Sequence, residues 1–207
     1  MLVSQILNKE VRIKMEKKKP DREEAMALLK KHNKNDALIK HALAVEAVMG
    51  HFAEKFGEED PEKWRVIGLI HDLDYEKYPE EHCMKTKEIL VEEGWPEDYI
   101  RAVQSHGWKI CTNVEPVENM EKVLYTIDEL TGLIVATVLM RPNKSIIDLT
   151  AKSVKKKFKQ KNFAAGVNRE VVEEGVSLLG MELNEVIEDT IKGMQPAAEE
   201  LGLKGDL

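Results

Sequence analysis

The sequence has no apolar run long enough to cross a bilayer: its longest, Gly132 to Met140, covers fewer than half of the roughly 20 residues a spanning helix needs. It has only two cysteines, Cys83 and Cys111, too few for a disulfide framework and consistent with free thiols in a reducing compartment. No apolar–polar alternation of the strand kind, no internal repeat and no low-complexity linker is present, which argues against sheet and repeat architectures. The first residues carry Lys9, Glu10, Arg12 and Lys14 without a long apolar run, so no secretory signal is read there. The expectation is a cytoplasmic protein with no membrane association.

What is present is a folding composition. Charged residues make up 33% and hydrophobic residues 43% of the 207 residues, enough apolar surface for one good core. The net charge of −7 hides an asymmetry. Between Arg141 and Lys161 eight basic residues face one acidic residue, whereas between Glu170 and Leu207 ten acidic residues face two lysines. A basic segment can meet an anionic substrate or nucleic acid. No aromatics interleave these lysines as single-strand binding favours, so the preferred reading is a solvated helix that pairs with the acidic C-terminal part. Nucleic acid is not the expected partner, and the oligomeric state is left open.

Almost every segment reads as helix. Asp21 is a candidate N-cap for a helix reaching Lys31, and Asn33-Lys34-Asn35 breaks it. Asp36 to Phe56 carries Leu38, Ala42, Val45, Met49, Phe52 and Phe56 at helical spacing, and Gly57 closes it. Asp60-Pro61 opens a third helix that runs into His71-Asp72. Pro79 starts a fourth, ending at Gly94, and Pro96 a fifth, ending at His106-Gly107. A loop from Trp108 to Pro116 precedes the most apolar helix, Val117 to Met140, which Arg141-Pro142 stops. Three more helices are expected near 145–160, 169–179 and 183–203, with Asn168 and Asn184 as caps and Gly180 as a stop. The fold class is all-α. Residues 1–19 read as an N-terminal tail, 20–140 as the main helical domain, and 141–207 as a helical extension packed on the same domain.

The candidates for chemistry lie among six histidines and an aspartate in the core helix. His41 lies on the apolar face of its helix, where a lone histidine is ordinarily a satisfied core residue. His51 shares its face with Glu54, Lys55 and Glu58 and reads as exposed; His32 sits at a helix end, where the dipole favours it. Asp128 lies in the core helix among Leu124, Tyr125, Thr131, Gly132 and Val135. A carboxylate there needs a cation or several donors, a lysine or a metal. With His71-Asp72 ending an apolar helix, His41, His71, Asp72 and Asp128 make a mixed imidazole and carboxylate shell for a borderline divalent ion. His82 and His106 could hold a second ion with a bridging carboxylate.

The ordered set H…HD…D resembles the HD-domain superfamily of metal-dependent phosphohydrolases, over about residues 21 to 140. His41, His71, Asp72 and Asp128 match its four defining ligands. His82 and His106 fall where HDIG-like, six-ligand dinuclear members carry two more histidines. The resemblance implies a compact multi-helix HD-domain bundle, here with additional C-terminal helices, and Asp72 as the bridging carboxylate. It implies one or two divalent transition-metal ions (Fe, Mn, Co, Ni or Zn), and hydrolysis of a phosphomonoester or phosphodiester, in a nucleotide or another small phosphate-containing anion, by a metal-activated hydroxide. Many relatives continue the pair as HD-aliphatic-Gly-Lys, the lysine approaching a phosphate; this chain reads His71-Asp72-Leu73-Asp74-Tyr75. The phosphate contact then falls to other cations, with Lys109, Arg101, Arg141 and Lys144 as candidates. Asp74, near His71, could orient a ligand or act as a base. Cys83 reads as a small buried or free thiol and not as a ligand. Two other functions stay open: a di-iron oxygenase of the same fold, and a non-catalytic scaffold using the basic 141–161 segment.

Overall fold

In the computed structural model, which describes residues 19–206, the first three helices begin where the sequence supplies caps. Helix α1 (Arg22–His32) opens on a capping box: Asp21 accepts the Glu24 N–H at 2.9 Å, and Glu24 accepts the Asp21 N–H at 3.2 Å. Helix α2 (Asp36–Phe56) is capped by Asn35 and ends on Gly57 in the left-handed region, φ 69°. Helix α3 (Pro61–Ile70) has Asp60 as cap and proline in its first turn, as expected. The rest are α4 (Met84–Glu92), α5 (Glu97–Ser105), α6 (Asn119–Leu139), α7 (Ala151–Phe158), α8 (Arg169–Leu179) and α9 (Leu183–Met194). Among the described residues there is no strand and no helix long and apolar enough to cross a membrane. The expected N-terminal tail lies outside the described residues except Lys19, whose ammonium pairs with Asp60 at 2.6 Å.

The two 21-residue helices, α2 and α6, form the centre. Helix α3 packs along α2, α8 along α6, and α9 against α2. One hydrophobic cluster runs through them from Ala25 to Leu203. The α2–α3 crossing is close because residue 68 is glycine: a Cβ there would lie 2.9 Å from the Glu46 backbone. That approach sets His71, one turn after Gly68, against α2.

Three helix boundaries and the exposure of one histidine differ from expectation. The helix expected from Pro79 to Gly94 is split into a short 3-10 turn, Pro79–Glu81, and α4, with Cys83 between them at φ 65°. The cause is not local: Asp74 accepts the Thr86 N–H at 2.8 Å and so caps α4 from another segment. The helix expected near 145 begins only after Thr150, because Arg141 holds residues 145–148 in a turn through Ser145 O (2.6 Å) and Asp148 (2.5 Å). The last long helix stops at Met194, where Pro196 admits only a 3-10 turn. His51 is half-buried, with its Nε2 3.2 Å from Asp189, because α9 covers that face.

The acidic C-terminal part does not neutralise the basic segment. Among the described residues no ion pair joins Lys152–Lys161 to it; Glu185 and Asp189 pair with Lys55, and Glu174 with Lys109. Helix α7 is held by burial of Val154 and Phe158; Lys152 and Lys156 are exposed, and the Lys157 ammonium lies 4.6 Å from the Phe163 ring centroid.

Candidate metal centre

Four elements bring the predicted residues together. His41 comes from the middle of α2 and Asp128 from the middle of α6. His71 caps the C-terminus of α3, and Asp72 begins the turn that follows. His41 Nε2 lies 2.9 Å from Asp128 Oδ1, 3.2 Å from His71 Nε2 and 3.7 Å from Asp72 Oδ2. His71 Nε2 is 3.3 Å from Asp72 Oδ2 and 3.4 Å from Asp128 Oδ1. Two nitrogens and two oxygens thus converge on one point, the separation that ligands around a shared ion require.

The other oxygen of Asp72 faces a second group. Asp72 Oδ1 is 3.5 Å from His82 Nε2 and 3.4 Å from His106 Nε2, which are 3.1 Å apart. Among the described residues this buried oxygen has no hydrogen-bond partner. A buried carboxylate oxygen without a donor is costly, and the two imidazole nitrogens beside it are suited to sharing a cation with it. The residues present therefore fit a bound divalent ion at either group.

The rings are held so that Nε2 faces inward. His71 donates from Nδ1 to Gly68 O at 2.8 Å, and His106 donates from Nδ1 to Val103 O. His82 donates from Nδ1 to Asp74 Oδ1 at 2.8 Å. Each such bond fixes the tautomer that leaves the Nε2 lone pair toward the site. Asp74 is fully buried behind His82, is not among the cavity-lining residues, and occupies the orienting position. The turn carrying Asp72 and Asp74 is anchored to the α1–α2 junction, where Glu76 accepts the N–H groups of Lys34 and Asn35 at 2.7 and 2.8 Å.

Burial alone would lower the pKa of His82, but the bond to Asp74 and the Asp72 charge outweigh it and push the pKa up to about 9. Burial likewise opposes protonation of His71, and the Asp72 and Asp128 carboxylates carry it well above the ordinary value. Burial would raise Asp72 and Asp128; the facing imidazoles hold both well below the usual carboxylate range. The cluster is a set of anions and imidazoles that compensate one another, and a cation can take the place of the protons.

The site opens into a cavity of about 330 Å³. Leu38, Ile110, Val167 and Val171 form apolar parts of its wall, with Tyr75, Cys111 and Glu129 beside them. Burial and the Asp128 charge raise the Glu129 pKa, and its carboxylate accepts the Asn168 N–H at 2.9 Å. The four cations proposed for phosphate do not line this cavity. Lys109 pairs with Glu174 at 2.5 Å, Arg101 with Glu121 at 3.0 Å and Arg141 with Asp148 at 2.5 Å, while Lys144 is exposed.

Sequence reasoning missed the wall formed by Gly166 and Val167. Its organiser is Arg169, whose guanidinium donates to the carbonyls of Phe158, Gln160, Phe163, Ala164 and Val167. No spacing rule announces an arginine that binds its own preceding loop. The Cys83–Cys111 contact, Sγ to Sγ 2.8 Å, was also missed; two cysteines 28 residues apart carry no sequence signal of contact.

A family model described as HD domain matches residues 38–161, about three-fifths of the chain. The match includes all six residues of the two groups. Neither the curated proteins nor the solved structures give a match.

Proposed function

The chain belongs to the HD-domain family, and from that premise we propose that it hydrolyses a phosphomonoester or phosphodiester, a nucleotide being the expected substrate class. The observation that carries this reading is the position of Asp72, whose two oxygens face two separate ligand groups. His41, His71, Asp72 and Asp128 would hold one divalent ion, and Asp72, His82 and His106 a second. Such ions polarise a phosphoryl oxygen and lower the pKa of water toward neutrality. The imidazole content favours Fe, Mn, Co, Ni or Zn over Ca or Mg.

The chain's own groups do the rest. Gly68 O, Val103 O and Asp74 keep three Nε2 lone pairs inward. Leu38, Ile110, Val167 and Val171 restrict water around the reacting phosphate, and the Tyr75 ring, edge-on to His82 at 5.2 Å, offers a face on which a planar group can stack. Glu129 can accept a hydrogen bond from a substrate hydroxyl or amine. With no lysine or arginine lining the cavity among the described residues, phosphate orientation rests on the ligand groups themselves.

The test is a panel of phosphomonoesters, nucleotides and phosphodiesters incubated with manganese- or nickel-loaded protein. Release of phosphate or of the cleaved ester, lost in Asp72→Ala, supports the reading; fully loaded protein that turns over none of them opposes it. The same lack of a cavity-lining cation favours a second reading, a di-iron oxygenase of this fold. Turnover by iron-loaded protein that consumes dioxygen and stops anaerobically would select it.

A further inference from the structure

Beside the two ligand groups lies a feature that hydrolysis does not use. Cys83 and Cys111 are the only cysteines of the chain, and their sulfurs are 2.8 Å apart, well inside ordinary sulfur–sulfur contact. Cys83 is fully buried, held at φ 65° between the 3-10 turn and α4, directly after His82. Cys111 lines the cavity in a tight turn, where Gly107 O accepts the N–H groups of Ile110, Cys111 and Thr112 at 2.9–3.0 Å. Residue 107 is glycine where the sulfurs need the room: a Cβ would overlap both. The pair has one buried and one accessible member, the arrangement of a resolving and a peroxidatic thiol.

We propose that Cys83 and Cys111 form a reversible redox site, a disulfide that closes in the wall of the metal centre when the protein meets hydrogen peroxide. The Cys111 sulfur attacks one peroxide oxygen; the O–O bond breaks, water leaves, and Cys111 becomes a sulfenic acid. The Cys83 sulfur then attacks that sulfur, the S–S bond forms as the S–O bond breaks, and the departing hydroxyl takes the Cys83 thiol proton and leaves as a second water: two thiols and one peroxide give one disulfide and two waters. In reducing compartments such disulfides are transient and redox-sensing. The cross-link ties the turn after His106 to the residue after His82, and therefore staples two ligands of the second group.

The test uses full-length, zinc-loaded protein treated with stoichiometric peroxide. The expected result is simultaneous loss of both thiols, an intact-mass decrease of about 2 Da for the two hydrogens, a linked 83–111 peptide, and full reversal by dithiothreitol. Zinc release to a chelator should be slower for one ion in the oxidised form. Cys83→Ser should stop Cys111 at a sulfenic acid that dimedone traps. Independent loss of the two thiols, or disulfides between molecules, would overturn the proposal. So would cobalt-loaded protein that shows thiolate-to-cobalt absorption and whose thiols resist peroxide, which would make the pair metal ligands. The wild-type chain carries the main test, so it does not depend on a variant folding.

Discussion

Replacing Asp74 with asparagine separates the two ligand groups with almost no change of shape. In the native protein one Asp74 oxygen accepts from His82 Nδ1 and the other from the Thr86 N–H, each at 2.8 Å. Asparagine keeps one oxygen. If that oxygen stays on Thr86, the amide NH₂ faces His82 Nδ1 and forces the ring proton onto Nε2, the atom aimed at the second group. If the amide turns over, two donors meet in a fully buried place, at about 1–3 kcal/mol for the unsatisfied group. Loss of a partner that orients a ligating histidine typically weakens a metal site about 10–100-fold. At about 1.4 kcal/mol per decade that is roughly 1.4–2.8 kcal/mol. His41, His71 and Asp128 do not touch Asp74, so the first ion should bind as before. Competition against a chromophoric chelator resolves the two affinities, with circular dichroism as the control for folding. Equal weakening of both ions, or no weakening of either, would refute the reasoning.

Asp128→Ala removes the only α6 ligand, and the first ion and hydrolysis should both be lost while the helical circular-dichroism spectrum is kept; an active variant would contradict the assignment. Gly68→Ala places a methyl group 2.9 Å from the Glu46 backbone, so overpacking should cost about 1–3 kcal/mol and lower the melting temperature by about 2–4 °C for each kcal/mol. His82 has a folded pKa raised to about 9, so in chelator-stripped protein its stabilising contribution is complete below about pH 6.5, the unfolded value, and lost as pH rises through 9. The urea midpoint of stripped protein should therefore fall over that window. Zinc affinity should rise over the same window, because each proton leaving Nε2 frees a ligand; a zinc affinity independent of pH would be inconsistent with imidazole ligands.

The parts of the fold written in local chemistry could be read directly. Asp21, Asn35, Asp60 and Gly57 terminate helices through their own side chains or backbone freedom, and the boundaries of α2 fall where these residues put them. The titratable positions of His41, His71 and Asp128 are visible in the sequence because each breaks an apolar helical face; His71 is fully buried, and His41 and Asp128 are half-buried at the cavity. What escaped depends on partners distant in the chain. The break at His82-Cys83 exists because Asp74 captures His82 and Thr86, eight and twelve residues away. His51 is covered by a helix that arrives 138 residues later through Asp189. The cavity wall at Gly166–Val167 is shaped by one arginine collecting five carbonyls, which leaves no period in the sequence. The charge asymmetry was real, but charge content alone does not say which lysine an acidic side chain will meet.

The most direct test of the account is the metal content of untagged protein purified without chelator, measured by mass spectrometry in wild type and in a His82→Ala/His106→Ala variant. The account predicts close to two transition-metal ions per wild-type chain and one in the variant. No bound metal after reconstitution, or the same stoichiometry in both proteins, would contradict a centre in which Asp72 bridges two ions.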